Sequence, residues 1–194
     1  MNFDEYQKQA KLTAIYPNVG NNIMYPVLGL IAEYGELLCY YNDVINGGSS
    51  PKITLETLQK EIGDVFWNIA ACFSEIDENM STINLRHSLN KCRSTGDDYF
   101  FNLMIIMGKL SSCAAKANRD NNGNILPQHL DAFRSALQSF CLCFETIIED
   151  IFQGLFFFDF ESKQGFIEKC LTQNINKLKD RQERNALQGD GDNR

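Results

Sequence analysis

The sequence predicts an all-α protein, a bundle of long amphipathic helices, and three observations carry that prediction. Apolar residues recur at intervals of three and four over long segments. Strand-like alternation is absent from the first three of these. Of the four prolines, at positions 17, 26, 51 and 127, three stand where such a period begins, the place where a missing backbone N–H costs a helix nothing. With 194 residues the chain is long enough to bury a core of its own without disulfide or metal staples.

Taken in order, a first helix over about 3–15 carries Phe3, Tyr6 and Ala10 on one side. It opens on Asn2 and Glu5, spaced as a capping pair, and stops before Pro17. A second, over about 25–45, sets Val27, Leu30, Ile31, Tyr34, Leu37, Leu38 and Tyr41 at helical spacing and closes on Asn46-Gly47-Gly48-Ser49-Ser50. A third, over about 54–77, has Leu55, Leu58, Ile62, Val65, Phe66, Ile69, Phe73 and Ile76 as its stripe. The polar segment 78–97 reads as a short helix around 83–89 followed by a loop, and a fourth long helix runs from there to about 117. The Asn/Asp-rich stretch 118–124 has the look of a calcium loop, but counted from Asp120 its glycine falls at the fourth position rather than the sixth, which argues against one. A fifth helix follows Pro127 and a last one spans about 162–185; the tail 189–194 is too glycine-rich for helix.

Composition narrows the function. A hydrophobic content of 44% with 14 Phe excludes intrinsic disorder. A net charge of −7 leaves no basic surplus to neutralise the phosphates of a nucleic acid. No apolar run is long enough to span a membrane, and Met1-Asn2-Phe3-Asp4-Glu5 is not a signal peptide. Seven cysteines, an odd number without a Cys-x-x-Cys, sit mostly in apolar runs as small hydrophobes, so a reduced, cytoplasmic compartment is expected. The acidity is uneven: residues 1–100 hold 13 acidic and 7 basic side chains, and residues 101–194 hold 12 and 11.

Four of those acids form two pairs. Glu33 and Glu36 lie three apart on the second helix, Glu61 and Asp64 three apart on the third, so each pair occupies one helix face. Two antiparallel helices can bring both pairs together, and carboxylates so gathered repel unless a hard cation such as Mg²⁺ or Mn²⁺ sits among them. Exposed helices are rich in Glu, so from spacing alone a solvated acidic face competes. Against it, both pairs are embedded in apolar sequence, and each encloses a glycine, Gly35 or Gly63, at a cost of roughly 1 kcal/mol in a helix interior. Asn68, one turn beyond Asp64, is placed to order a water or a sugar hydroxyl, or is a plain surface Asn. Trp67 and Tyr40 could stack on a base or serve as core. The run Leu155-Phe156-Phe157-Phe158-Asp159-Phe160 reads as packing or a subunit interface.

The chain also aligns with itself. Setting Gly35 on Gly108 and Leu37 on Leu110, and then Leu55, Leu58, Ile62, Val65, Ile69, Phe73 and Ile76 on Leu130, Phe133, Leu137, Phe140, Phe144, Ile148 and Ile151, gives helix, loop, proline, helix in both halves. Glu33, Glu36, Glu61 and Asp64 then face Ile106, Lys109, Ala136 and Ser139. Any two helical hairpins can be matched in this way, so chance competes with duplication; if duplication is right, one half kept its acids and the other lost them.

In these residues the chain resembles the MazG-like, all-α nucleoside triphosphate pyrophosphohydrolases. Their Glu-x-x-Glu helix and later Glu-x-x-Asp helix are matched by Glu33-Tyr34-Gly35-Glu36 and Glu61-Ile62-Gly63-Asp64. Asp4-Glu5-Tyr6-Gln7, Tyr16-Pro17 and Leu28-Gly29-Leu30 are similar to the family's opening. Asn174 through Arg181, with the tail Gly189-Asp190-Gly191-Asp192-Asn193-Arg194, is similar to its ending. The resemblance covers about 1–77 and 166–194. It implies a single all-α domain whose Glu33, Glu36, Glu61 and Asp64 hold Mg²⁺, or Mn²⁺, and carry catalysis. It also implies that Lys177, Arg181 and Asn174 meet the substrate, and that this substrate is a nucleoside triphosphate cleaved to a monophosphate and pyrophosphate. A nucleotide-specific relative acting on dUTP, dCTP or an alarmone, and a non-catalytic helical protein with a vestigial metal site, are the alternatives. The chain departs from the pattern over about 78–165, where compact members have a short connection. In the family a catalytic unit usually pairs helices from two subunits. A degenerate repeat over 98–160, between the acid-bearing half (1–77) and the C-terminal segment (162–194), would replace that partner and make a pseudo-dimer, while a homo-oligomer stays open. The family often has glycine where this chain has Asn185-Ala186, which leaves that turn's conformation open.

Overall fold

The computed structural model describes residues 1–45, 54–82, 97–154 and 162–187. Six α-helices account for most of them: α1 (Phe3–Leu12), α2 (Met24–Ile45), α3 (Leu55–Glu75), α4 (Asp97–Asp120), α5 (Pro127–Gly154) and α6 (Lys163–Glu183), with one 3-10 turn, Met80–Thr82. Helices α2 and α3 form one hairpin and α4 and α5 a second. They pack with α2 against α4 and α3 against α5, while α1 and α6 lie on α3 and touch each other. Helix α3 therefore has helices around most of its circumference, which explains why it is buried on most sides, Gln59, Glu61 and Asn68 included.

Local chemistry sets the ends. At α1 the capping box is complete: the Glu5 backbone N–H donates to Asn2 Oδ1 at 2.9 Å and the Asn2 N–H to Glu5 Oε2 at 3.1 Å. The helix stops at Leu12, three residues short of expectation, because the Thr13 hydroxyl and N–H both turn back onto the Ala10 carbonyl. Pro26 is the third residue of α2 and Pro127 the first of α5, both within a first turn. Helix α4 runs on to Asp120 and is closed by the Gly123 N–H donating to the Ala117 carbonyl, with Asn122 and Gly123 both at positive φ. The stretch that superficially suggested a calcium loop is thus a helix stop. Its glycine is required twice over, since a Cβ there would lie 2.2 Å from the Asn21 carbonyl oxygen, and the Gly123 carbonyl in turn accepts from the Ile23 N–H at 3.0 Å. Past α6, Asn185 takes φ 56° and the Ala186 N–H donates to the Arg181 carbonyl, so asparagine makes the left-handed turn that glycine would. The expected helix at 83–89, the aromatic run 155–160, Pro51 and Cys92 lie outside the described residues.

The core joins the two hairpins. Tyr34 of α2 meets Phe140 and Phe144 of α5 edge-on, and Phe66 of α3 meets Phe144 the same way. The Tyr99 hydroxyl donates to the Cys143 carbonyl at 2.8 Å, which leaves it to accept from the Tyr34 hydroxyl at 2.6 Å. Positions matched by the internal alignment are buried alike: Leu37 and Leu110, Leu58 and Phe133, Ile62 and Leu137, Val65 and Phe140, Ile69 and Phe144, Phe73 and Ile148 are each at most 1% exposed. Cys72, Cys113, Cys141, Cys143 and Cys170 are buried free thiols, and burial pushes those of Cys72, Cys141 and Cys170 up, away from reactivity. Among the described residues no helix is long and apolar enough to cross a membrane.

Candidate functional site

Helices α2 and α3 approach closely at Gly29, where a Cβ would stand 2.2 Å from Asn68 Oδ1. That approach sets Glu33 opposite Glu61 and Asp64. One carboxylate oxygen from each of the three lies within 4.8 Å of the other two. Glu61 is 6% exposed; Glu33 and Asp64 are half-buried. Glu36, one turn along α2, is exposed on the same groove and falls outside the three-acid cluster. Three hard oxygen donors gathered at this spacing could hold a metal ion, and their chemistry suits a hard divalent cation such as Mg²⁺ or Mn²⁺.

Helix α6 brings the cations. It can lie against α3 because Gly63 has no side chain: a Cβ there would be 2.8 Å from Asn174 Cβ and 3.2 Å from the Cys170 carbonyl oxygen. Gly35 is different, with nothing within 4 Å of such a Cβ, so of the two glycines inside acid pairs only Gly63 marks a close helix contact. Lys177 Nζ donates to both oxygens of Asp64, at 2.7 and 2.5 Å. Asn174 Nδ2 donates to Asp64 Oδ1 at 2.8 Å. Arg181, 4% exposed, lines the groove.

The groove has a volume of about 780 Å³, within the range of small-molecule sites. The acids and Arg181 form its polar end. Its other wall is aromatic and apolar: Tyr16 and Tyr25 stack with ring centroids 4.5 Å apart, and Tyr16 meets Trp67 edge-on. Trp67 Nε1 donates to Thr13 Oγ1, which fixes the indole. Tyr40 also lines the groove. A single carboxylate holds the Tyr16 wall in place: Glu75 accepts from the Tyr16 hydroxyl at 2.6 Å and from the backbone N–H groups of Gly20 and Asn22 at 2.8 and 2.7 Å. Burial, then that hydrogen bond, pushes the Tyr16 phenol well above its ordinary range.

Asn68 is buried rather than on the surface, and its Nδ2 donates to the Asp64 backbone carbonyl at 3.0 Å, although the side chain still borders the groove. Lys177 meets Asp64, where sequence reasoning set it against phosphate. Tyr6 was missed as a site residue. It sits on the α1 core stripe, fully buried, and its hydroxyl reaches Asn174 Oδ1 at 2.8 Å and the Gly63 carbonyl at 3.2 Å. Only its place in a run similar to the MazG-like opening hinted at more than packing.

Fold and site together define an all-α protein with an acid-floored groove enclosed by α2, α3 and α6. The chain is 34% identical over 104 residues to "Gene 37 protein" of Mycobacterium phage L5, a match that spans 90% of that relative and 50% of this chain, and it belongs to the same family. No family model matches the chain, and no solved structure does.

Proposed function

We propose that the chain is a divalent-cation-dependent nucleoside triphosphate pyrophosphohydrolase, as its MazG-like motifs imply. The observation that carries this reading is the convergence of Glu33, Glu61 and Asp64 in a groove that Arg181 also lines. A triphosphate and an acid cluster repel each other, so cations between them are required for either to approach. When bound, Mg²⁺ or Mn²⁺ supplies charge neutralisation, polarisation of the phosphate chain and a more acidic water. Glu33, Glu61 and Asp64 hold it, with Glu36 adding negative charge at the rim. Arg181 meets phosphate oxygens, and Lys177 is within reach of them once it shares or leaves Asp64. One carboxylate of the group takes the proton of the attacking water. The aromatic wall offers the rings of Tyr25 and Trp67 to a base, with Tyr16 packed behind them.

A second reading has its own observation. Lys177 already neutralises Asp64 from within the chain, as it would in a helical binding protein whose metal site is vestigial. A panel of ribo- and deoxyribonucleoside triphosphates, including dUTP and dCTP, assayed with and without Mg²⁺ for release of pyrophosphate, separates the readings. Metal-dependent pyrophosphate release supports the enzyme, and activity confined to one nucleotide narrows it. A folded sample that turns over none of them leaves the binding protein.

A further inference from the structure

Asp64 is held in layers, with Lys177 Nζ on both of its oxygens and an amide on one of them. Its Oδ1 accepts from Asn174 Nδ2 at 2.8 Å, and Asn174 Oδ1 accepts from the Tyr6 hydroxyl at 2.8 Å. This amide has one workable orientation. Turned over, it would present its oxygen to the Asp64 carboxylate, acceptor against acceptor. The Tyr6 hydroxyl is what makes the workable orientation complete, because it supplies the proton that Oδ1 needs in a place closed to water: Tyr6 is 0% and Asn174 2% exposed. The same hydroxyl lies 3.2 Å from the carbonyl of Gly63, the residue whose missing side chain lets Asn174 sit there. Tyr6 of α1 and Gly63 of α3 thus converge on Asn174 of α6, which bonds the carboxylate.

From this we infer that Tyr6 is a positioning residue for the cation site: acting through Asn174, and alongside Lys177, it helps set the direction of the Asp64 carboxylate. The inference rests on the proposed function, which makes Asp64 a metal ligand. Asn174, which bonds the ligand directly, is the kind of partner whose loss changes metal affinity by about 10–100-fold, and Tyr6 stands one bond further out. The role belongs to the hydroxyl alone. Helix α1 is tied down independently by Gln7, whose amide donates to the Glu78 carbonyl at 2.8 Å and accepts from the Met80 N–H at 2.7 Å, so removing one oxygen from Tyr6 leaves the helix in place.

The test is Mn²⁺ binding by calorimetry without nucleotide, on the full chain, for wild type, Y6F, N174A and the double variant, with thermal unfolding followed in parallel. Y6F is expected to bind Mn²⁺ more weakly by up to about tenfold, and N174A, one bond nearer the ligand, by more. In the N174A background, adding Y6F should change the affinity no further, because the path from Tyr6 to Asp64 is already cut. F3L, which alters packing on Phe66 away from Asn174, should lower the melting temperature and leave Mn²⁺ affinity alone. Wild-type affinity in Y6F, or losses that add in the double variant, would overturn the positioning role and leave the cation site standing. Absence of Mn²⁺ binding in the wild type would remove both this role and the proposed activity.

Discussion

The two helical hairpins bury six matched pairs of core positions alike and differ on the side that carries the acids. In α2–α3 the groove side carries Glu33, Glu61 and Asp64; in α4–α5 the corresponding positions are Ile106, Ala136 and Ser139. The outward side of α4 adds Phe100, Phe101, Met104 and Ile105, all exposed, at positions matching Val27, Leu28, Ile31 and Ala32 of α2. The difference teaches that core and site obey separate constraints. A hairpin can carry the same packing stripe without the acids, because the two lie on different faces of the same helices.

That separation can be broken most severely at Glu61. E61Q keeps the shape and removes the charge, and should lower metal-dependent pyrophosphate release by at least about 100-fold, whereas E36Q, outside the cluster, should cost about tenfold or less. Steady-state rates at saturating Mg²⁺ measure both. The reverse graft comes next: A136E puts into α5 the acid that α3 carries, at a position 3% exposed, and should destabilise by about 3 kcal/mol in urea unfolding without creating activity. Equal packing is checked by L58A and F133A, each expected to cost about 3–4 kcal/mol in the same assay; a loss confined to L58A would show that the second hairpin is not part of a shared core. The smallest contrast is between glycines. G35A should be neutral or stabilise by up to about 1 kcal/mol, as alanine does in an open helix position. G63A drives a methyl into Asn174 and should lower both stability and Mn²⁺ affinity; identical behaviour of the two variants would refute the α3–α6 contact as its cause.

Much of this was legible before the fold. Helix positions followed from the spacing of residues such as Leu58, Ile62, Val65 and Ile69, the capping box from Asn2 and Glu5, and the acid cluster from two pairs at a spacing of three. What stayed hidden depends on direction and on contacts far apart in sequence. Tyr6 reads as core because its ring is core, and nothing in the chain says where its hydroxyl points. Lys177 reads as a free cation because its partner lies on another helix. Gly35 and Gly63 look alike in sequence and differ only in what stands opposite. The end of α1 was missed because Thr13 folds back on Ala10, a local bond that helical periodicity cannot register.

The contact of Gly123 with the start of α2 has a practical side. The Asn/Gly-rich stretch 118–124 has the composition of a surface loop that accepts insertions, the natural place for a tag or a fused domain. Its backbone, however, is pressed against Asn21 and bonded to Ile23, and Glu75 grips Gly20 and Asn22 from the other direction. The lip of the groove is therefore wedged between two distant parts of the chain. A residue added at 121–124 would move that lip and the aromatic wall beyond it, so the spot that most invites engineering is the one where it would first be felt by a ligand.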